Sequence, residues 1–421
     1  MKESTKNQIR RIASLARQAS FDMALLPKEI KNKALTLMAQ ALKKNARFII
    51  RQNLKDLKEA KNQRLSQAFI DRLTLTEERI NKMAKSLEQL RVLKDPVGET
   101  IKRWKSPING LIINKVRIPI GVIAIIYESR PDVTSDCIGL CVKSGNCVIL
   151  RGGAEALNSN QAIYRIITRA VAKFLPKGSI NIVPVKERAA ISFLLKLNDD
   201  IDLVIPRGGE GLIKKVASIS RIPVIKHYKG ICHVYVDKDA NLDMAGDICF
   251  NAKVQRPGAC NAMESMLVHK DIAARFLPAM SRRFRQAGVQ IRGCRNTAKI
   301  IKGIRLATEK DYRTEYLDLI LSVKVVASLD EAITHINEYG THHSDSIVTE
   351  NNTSARKFLA KIDSACVYQN ASTRFTDGYQ FGLGAEIGIS TEKIHARGPM
   401  ALEELTTYKY IVYGRGQIRT S

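Results

Sequence analysis

Hydrophobic residues in the first part of the chain recur at the three- and four-residue spacing of a helix face. Two such series are Ile9, Ile12, Ala16 and Ala19, and Ala34, Met38, Ala41 and Leu42. Thr74 and Glu77 have the spacing of a capping box ahead of a further apolar series. The pattern predicts helices over residues 5–95 and indicates packing, not a particular function.

The pattern changes at residues 101–118, where two strand-like segments flank Asn109-Gly110. This dipeptide is a strong signal for a hairpin turn. Both segments carry charged residues and no helical pattern follows them, so we expect a hairpin that projects and pairs with another subunit. The segment 408–413 has the pattern of a strand that would complete this hairpin.

From residue 121 onwards, apolar strand-like runs alternate with helical segments. The predicted strands are 121–127, 147–150, 180–185, 202–206, 222–226 and 232–236 in a first block, and 264–268, 289–292, 319–326, 346–349 and 365–368 in a second. The predicted helices are 132–143, 158–174, 187–197, 209–218 and 241–252, followed by 271–286, 329–338 and 353–361. This alternation predicts an α/β fold with mostly parallel sheets and helices on both faces.

The composition is that of a folded globular protein. The chain has 421 residues, enough for two or three domains, and is 45% hydrophobic and 26% charged. No apolar run approaches the roughly 20 residues of a membrane span, and the first residues have no apolar signal core, so we expect a cytoplasmic protein. The cysteines lack paired CxxC spacings, which indicates reduced thiols and no metal site.

The formal charge of +27 raises the possibility of nucleic-acid binding. Lys and Arg are, however, spread along the whole chain, Trp104 is the single tryptophan, and the sequence has no arginine-rich arm, finger or zipper pattern. A diffuse basic surface that attracts anionic substrates is the preferred interpretation, with a basic nucleic-acid-binding protein as the alternative.

One cysteine is distinguished by its context. Pro257 and Gly258 end the preceding helix and place Cys260 on a loop where the two β/α blocks meet. Ligand clefts commonly lie where domains meet. Lys253 and Arg256 would favour the thiolate, which is the nucleophilic form of cysteine. A structural thiol at a turn is the alternative that this spacing leaves open.

Three segments have the form of a strand that ends in a polar or glycine-rich turn ahead of a helix. They are Tyr127-Glu128-Ser129-Arg130-Pro131-Asp132, the run from Lys143 to Arg151-Gly152-Gly153, and Pro206-Arg207-Gly208-Gly209-Glu210-Gly211. Such turns let backbone N–H groups and an arginine approach a phosphate at the carboxyl edge of an α/β sheet. Each signal is weak alone, because glycines after strands are common.

The segment 370–388 has more polar and glycine residues than a core element. Ser372, Thr373 and Arg374 fit an anion-binding wall, and an ordinary surface loop is the alternative.

Taken in order, these segments resemble the aldehyde dehydrogenase superfamily, and within it the γ-glutamyl phosphate reductase (glutamate-5-semialdehyde dehydrogenase) family. The resemblance runs from about residue 8 to the C-terminus. Its most specific stretches are Tyr127-Glu128-Ser129-Arg130-Pro131, Gln255-Arg256-Pro257-Gly258 before Cys260, Asn370 to Gly388, His395-Ala396-Arg397-Gly398-Pro399 and Leu405-Thr406-Thr407-Tyr408-Lys409-Tyr410.

The resemblance implies a Rossmann-type NADPH-binding domain of residues 1–100 and 121–259, an α/β catalytic domain of residues 260–395, and an oligomerisation element of residues 101–120 and 396–421. It implies Cys260 as the catalytic nucleophile. The implied NADPH-binding residues are Ser129, Arg130, Lys143, Arg151, Gly152, Gly153, Arg207, Gly208 and Gly209. The implied substrate-binding residues are Arg256, Asn261, Ser372, Thr373 and Arg374.

The activity that the resemblance implies is the NADPH-dependent reduction of L-glutamyl 5-phosphate to L-glutamate 5-semialdehyde in proline biosynthesis. A glutamate 5-kinase is the implied functional partner, and the implied assembly is a homo-oligomer. Arg151 is the first candidate for the 2′-phosphate of NADPH, with Lys143 and Arg207 as rivals.

Two departures separate the chain from hydrolytic aldehyde dehydrogenases. Hydrolytic aldehyde dehydrogenases carry a general-base glutamate where this chain has His227-Tyr228-Lys229-Gly230. They carry an asparagine where this chain has Ser129. An acyl phosphate already has a good leaving group, so its conversion needs no base to activate water. Tyr379-Gln380 departs from the Gly-Glu of the reductases, which leaves the edge of the substrate wall undetermined.

Two enzyme-related alternatives follow from the resemblance. The missing glutamate argues against an NAD(P)-dependent dehydrogenase of a free aldehyde. The retained Cys260 argues against a relative that has lost catalysis.

Overall fold

The computed structural model describes residues 1–419. Its helices are α1 Glu3–Met23, α2 Lys28–Lys44, α3 Ala46–Asn62, α4 Gln67–Leu73, α5 Glu77–Val92, α6 Asp132–Lys143, α7 Leu157–Val171, α8 Ala189–Leu194, α9 Glu210–Ile219, α10 Leu242–Val254, α11 Lys270–Gln286, α12 Arg295–Ile300, α13 Glu309–Tyr312, α14 Leu329–Tyr339 and α15 Asn352–Lys361. Its strands are β1 Thr100–Lys105, β2 Ile112–Pro119, β3 Val122–Tyr127, β4 Cys147–Arg151, β5 Ile180–Ile182, β6 Leu203–Arg207, β7 Cys232–Val236, β8 Met263–His269, β9 Gln290–Gly293, β10 Arg305–Leu306, β11 Ile320–Val326, β12 Ser344–Val348, β13 Cys366–Gln369, β14 Gly388–Ser390, β15 Gly398–Met400 and β16 Thr406–Tyr413.

The first of two compact units contains residues 1–226, 383–388 and 400–419. Its central sheet has four parallel strands in the order β5-β4-β3-β6. β3 and β4 are buried along their whole length. Parallel strands covered on both faces have no solvent side, which explains their unbroken apolar runs. The polar turns that follow β3, β4 and β6 therefore meet at one carboxyl edge of this sheet.

Helices α1–α5 confirm the helical region predicted for residues 5–95. The capping box predicted at Thr74 is wrong. Thr76 is the N-cap of α5 and its side chain accepts a hydrogen bond from the Arg79 N–H at 3.2 Å. The Thr74 hydroxyl instead donates to the Ile70 carbonyl at 2.7 Å, because Thr74 ends the preceding helix α4.

An antiparallel sheet in the order β1-β2-β16 confirms that the tail completes the hairpin. Gly110 in the connecting turn has a φ of 73°, a conformation that glycine adopts without strain. Tyr410 lies opposite Lys115 in the register, and its ring packs edge-on against Trp104 at 6.1 Å between centroids. Hairpin and tail belong to the first compact unit by their contacts.

The second unit contains residues 227–382 and 389–399. Its sheet has seven parallel strands in the order β10-β9-β11-β8-β7-β12-β13. The predicted domain boundary is at residues 259 and 260, whereas the compact units divide after residue 226. β7 is the physical reason, because it pairs with β8 and β12 and buries Val234 and Val236 in their core.

Other sequence-based elements differ in detail. The strand predicted at 222–226 is absent from the described chain, where Val204 and Val224 form only an isolated bridge. The short elements α12, β10 and α13 were not predicted. Within residues 1–419, no helix has the length and apolar character needed to cross a membrane.

Candidate active site

A cavity of ≈ 460 Å³ lies at the carboxyl edge of the four-stranded sheet in the first unit. The turns after β3 and β4, the segment ahead of α8 and the first turns of α9 surround it. Its lining residues are Phe69, Ile126, Tyr127, Glu128, Ser129, Arg151, Gly153, Ala154, Glu155, Lys186, Arg188, Ile191, Gly211, Leu212, Lys215 and Val216. This position matches the edge at which open α/β sheets bind dinucleotides.

Ser129, Arg151 and Gly153 of the predicted cofactor residues line this cavity. Gly152 and Gly153 are required by close packing. A Cβ at Gly152 would lie 2.1 Å from Asn160 Nδ2, and one at Gly153 would lie 2.8 Å from Ser129 Oγ. Tight backbone turns of this kind let main-chain N–H groups approach a bound phosphate.

Gly208 and Gly209 form the turn into α9. The Gly209 N–H donates to Glu128 Oε2 at 3.1 Å, and a Cβ at Gly208 would lie 2.6 Å from the carboxyl carbon of Glu128. A carboxylate therefore already lies at the positive end of this helix, where an anion is electrostatically favoured. Arg130 follows Glu128, and its N–H donates to the Glu128 carbonyl at 2.6 Å.

Arg151 is buried, and its guanidinium joins two segments of the cavity wall. It donates to the Gly152 carbonyl at 2.8 Å and to the Lys186 carbonyl at 3.0 Å. Its Nε is buried without a partner among the described residues. Burial is the main cause that lowers the pKa of Arg151, and the neighbouring Arg188 lowers it further.

Lys143 and Arg207 lie away from the cavity lining. The Lys143 ammonium is buried at the end of α6 and donates to Asn32 Oδ1 at 2.7 Å and to the Arg91 carbonyl at 3.0 Å. Arg207 lies beside Gly388, where an added Cβ would come within 2.5 Å of its Nη1. Neither side chain is among the residues that line this cavity.

Cys260 lies in the second unit, on the loop between α10 and β8, and is half-buried. β7, β8, β12 and β13 are parallel neighbours, so their first residues meet at one edge of the sheet. Cys260 is at this amino edge. The usual rule that ligands bind at carboxyl edges would not have located it.

The interior side of the Cys260 loop is closely packed. The Cys232 thiol donates to the Cys260 carbonyl at 3.3 Å. A Cβ at Gly230 would lie 1.7 Å from the same oxygen, so only glycine permits this approach. The Gly230 N–H is in turn held by Glu315 Oε1 at 2.8 Å. The segment 227–230 thus supports the loop through its backbone.

Four of the predicted substrate residues are brought together by one turn. The Asn261 carboxamide donates to the Thr376 carbonyl at 2.8 Å, and the Thr373 hydroxyl donates to the Asn261 carbonyl at 2.7 Å. Ser372 begins this turn and accepts from the Arg374 N–H at 3.3 Å. Arg374 Nε donates to Gln255 on the Cys260 loop at 2.9 Å.

Two arginines lie close to each other and to Cys260. Burial lowers the pKa of Arg374 and the nearby charge of Arg256 lowers it further, whereas the proximity of Cys260 and of the Asp377 carboxylate raises it. Arg256 is exposed and has no carboxylate partner among residues 1–419. Two arginines so close together, neither in an ion pair with a carboxylate among residues 1–419, are an arrangement suited to an anionic ligand.

Lys253 does not support the thiol as predicted. Its ammonium is fully buried and pairs with Glu264 at 2.8 Å, so its charge is neutralised inside the second unit. Burial raises the pKa of Glu264 to about 7. Of the three cations named here, Arg256 and Arg374 remain near Cys260 with no ion-pair partner among residues 1–419.

A buried polar chain runs behind the turn that holds Arg374. His343 Nδ1 lies 2.9 Å from the Ser344 hydroxyl. The Thr376 hydroxyl lies 2.6 Å from the Ser344 hydroxyl and 2.6 Å from the Tyr368 hydroxyl. Burial lowers the pKa of His343 to about 3, so this ring is neutral. No His, Cys, Asp or Glu cluster in the described part of the chain could hold a metal ion, and no disulfide joins the cysteines of residues 1–419.

Comparison with known proteins identifies the family to which the chain belongs. The aldehyde dehydrogenase family model matches residues 1–297. Relatives called γ-glutamyl phosphate reductase include one from Thermodesulfovibrio yellowstonii, 54% identical over 97% of each chain. A second, from Caldanaerobacter subterraneus subsp. tengcongensis, is 56% identical over 97% of this chain and 98% of its own. The crystal structure of the γ-glutamyl phosphate reductase of Thermotoga maritima superposes with a TM-score of 0.96 at 46% identity, covering 98% of this chain and 100% of that one.

A cofactor-sized cavity at a parallel-sheet edge and a thiol on a loop between helix and strand are features of the aldehyde dehydrogenases, a family of nicotinamide-dependent oxidoreductases. Within that superfamily, the chain belongs to the γ-glutamyl phosphate reductase family.

Sequence reasoning missed several residues of both sites. Lys186, Arg188 and Glu155 line the cavity, and Cys232 contacts the Cys260 backbone. Lys186 and Arg188 follow a strand with no glycine-rich turn, so no motif marks them. Cys232 lies 28 positions before Cys260 and is brought to it only by the pairing of β7 with β8.

Proposed function

We propose that the protein reduces L-glutamyl 5-phosphate to L-glutamate 5-semialdehyde and phosphate with NADPH, through a thioester on Cys260. The observation that carries this proposal is a half-buried thiol beside Arg256 and Arg374, two arginines that form no ion pair with a carboxylate among residues 1–419. The names of the similar proteins from T. yellowstonii and T. maritima support the substrate class.

The chemistry assigns a role to each group near the thiol. The Cys260 thiolate attacks the acyl carbon, and the bond from that carbon to the phosphate oxygen breaks with its electrons on phosphate. Arg256 and Arg374 stabilise the negative charge on the leaving phosphate. NADPH, when bound, supplies the hydride that reduces the thioester. The carbon–sulfur bond then breaks, which releases the aldehyde and returns Cys260 to its starting form.

The route needs no base to activate water. The carboxylates on the interior side of the loop are engaged, Glu264 by Lys253 and Glu315 by the Gly230 N–H. His227 Nδ1 lies 2.9 Å from the Ile389 carbonyl. The segment that replaces the general-base glutamate of hydrolytic relatives therefore serves as support for the loop.

The cavity in the first unit fits NADPH. Its volume of ≈ 460 Å³ lies in the range of cofactor sites, and Arg151 presents an unpartnered buried Nε within its wall. Lys186 and Arg188 are exposed at the same wall, and neither has a carboxylate partner within residues 1–419. Close cations repel one another unless an anion joins them. We infer that Lys186 and Arg188 bind the 2′-phosphate, while Arg151 positions the Lys186 backbone.

Replacing Lys186 and Arg188 with alanine should weaken NADPH binding about tenfold for each charged contact and leave NADH binding nearly unchanged. Only NADPH carries the 2′-phosphate, so the effect should be confined to it. Nucleotide fluorescence gives the dissociation constants of NADPH and of NADH. Lys173→Ala, which removes an exposed lysine of the same unit, is the control. Arg151→Ala should weaken the binding of both NADPH and NADH. If the ratio of the NADPH and NADH dissociation constants were the same in the double variant as in the original protein, neither residue would bind the 2′-phosphate.

The activity itself is tested by coupling to a kinase. Acyl phosphates are unstable, so a glutamate 5-kinase with ATP and glutamate should generate the substrate in the assay, and we propose such a kinase as the functional partner in proline biosynthesis. NADPH absorbance should fall only when kinase, ATP and glutamate are all present. Loss of NADPH absorbance without ATP, or none with the complete mixture, would contradict the proposed substrate.

We also propose that the β1-β2-β16 sheet is an assembly surface. β1 and β16 are its edge strands, and edges of this kind pair readily with other chains. Tyr410 and Val412 are exposed on the same face of β16.

Tyr410→Glu with Val412→Glu should dissociate the assembly, because both charges would be buried at the contact. Analytical ultracentrifugation should show the intact chain well above the 47.0 kDa of one subunit and the double variant at that mass. Lys409→Glu, on the opposite face of the same strand, is the control. A monomeric intact chain would disprove the assembly role.

A further inference from the structure

Cys232 is a second cysteine in contact with the Cys260 loop, and the proposed reaction does not use it as a nucleophile. It is the first residue of β7, is completely buried, and its Sγ lies 3.3 Å from the Cys260 carbonyl oxygen. Burial raises the pKa of Cys232 well above its ordinary value. The group is therefore a thiol at neutral pH, and a thiol can donate its proton to a carbonyl.

The Cys260 carbonyl has little freedom to turn. Its oxygen receives the Cys232 S–H and is packed against Gly230, where an added Cβ would lie 1.7 Å away. Glu315 holds Gly230 in place through its N–H at 2.8 Å. The oxygen thus points into the second unit, toward the start of β7.

The direction of this carbonyl fixes the next N–H. In a planar trans peptide, the C=O and N–H bonds point in opposite directions, so the N–H of Asn261 points away from Cys232. Thr373 and the Thr376 carbonyl hold the rest of Asn261. Among residues 1–419 the Asn261 N–H has no hydrogen-bond partner. An unpaired main-chain donor thus directly follows the residue whose thiol is the nucleophile.

We propose that Cys232 is a positioning residue, whose thiol holds the Cys260–Asn261 peptide so that the Asn261 N–H donates to the oxygen of the acyl group under attack. The inference rests on the proposed thioester chemistry. As the Cys260 sulfur bonds to the acyl carbon, the carbonyl electrons move to the oxygen, which becomes an oxyanion. The N–H that follows a nucleophile is a common donor to such an oxyanion, and a misdirected donor loses most of its effect.

Acyl transfer and alkylation separate this role from general support. p-Nitrophenyl acetate acylates the thiol through an oxyanion and releases p-nitrophenolate, whereas iodoacetamide alkylates it by displacing iodide without one. Neither reagent needs NADPH or an acyl phosphate. Cys232→Ala should slow the acylation burst roughly ten- to hundredfold and leave the alkylation of Cys260, followed by mass spectrometry, unchanged. Steady-state reduction should lose kcat by a similar factor with KM unchanged.

Two further variants complete the test. Cys232→Ser retains a donor and should recover most of the acylation rate. Cys249→Ala makes the same change at another fully buried thiol of the second unit and should leave both rates unchanged. Equal loss in Cys232→Ala and Cys249→Ala, parallel loss of acylation and alkylation, or no recovery with serine would overturn the proposal. Normal acylation behaviour combined with an absence of glutamyl phosphate reduction would instead refute the proposed substrate alone.

Discussion

Replacing Cys260 with alanine should lower the reduction of glutamyl phosphate by about 10⁴-fold or more, because the variant has no nucleophile to form the thioester. NADPH binding should be unchanged, since the cavity in the first unit contains no atom of Cys260. The coupled kinase assay measures the first quantity, and nucleotide fluorescence measures the second.

Cys294 provides the matched control. It and Cys260 are the two cysteines that are not fully buried, so Cys294→Ala removes a thiol of similar accessibility. Its Sγ lies 3.2 Å from the Thr297 hydroxyl at the start of α12, away from the Cys260 loop. Cys294→Ala should retain normal activity. A Cys260→Ala variant with a tenth of the original activity would exclude the covalent mechanism.

Oxidation of glutamate 5-semialdehyde, the reverse reaction, should depend almost completely on added phosphate. The Cys260 thioester formed in this direction must be released by an acceptor. Phosphate would be held by Arg256 and Arg374, whereas water would need a base to activate it. Without phosphate, NADPH formation should stop after about one equivalent per active site, because each site is left acylated. Arsenate should replace phosphate.

The expected dependence can be checked by following NADPH formation at rising phosphate concentration. Arg374→Ala with Arg256→Ala should raise the phosphate concentration needed for half-maximal rate more than it changes the single-turnover burst. Sustained turnover without phosphate, with free glutamate accumulating, would mean that a base is present. His227 would then be the first residue to replace, because it stands in the segment where hydrolytic relatives carry a glutamate.

Lys143 shows how long-range contacts decide where a predicted cofactor residue lies. The family resemblance implies Arg151, Lys143 and Arg207 as cofactor residues, and each lies near a strand end or a glycine turn in the sequence. Lys143 is instead drawn into the helical layer by Asn32 and the Arg91 carbonyl, contacts that lie 111 and 52 positions away in the chain. A cation near a phosphate motif in sequence is therefore only a candidate until its own partners are known.

The sequence by itself determined the class of fold and singled out Cys260 as the proposed nucleophile. Buried parallel strands require continuous apolar runs, so β3, β4, β7 and β8 were visible as strands, and the local Pro-Gly break placed Cys260 on a loop. The pairing of the tail strand with the hairpin also followed from local patterns, because both segments have the pattern of strands.

Only the tertiary structure decided which residues surround these features. The unit boundary after residue 226 depends on which strands pair with β7, and pairing is a long-range property that local periodicity does not contain. The same pairing brings Cys232 beneath Cys260 at the amino edge of the sheet. Lys186 and Arg188 enter the cavity wall because Arg151 binds the Lys186 carbonyl 35 residues further along the chain. Contacts between residues so far apart in the chain form only when the chain folds, so local sequence patterns do not predict them.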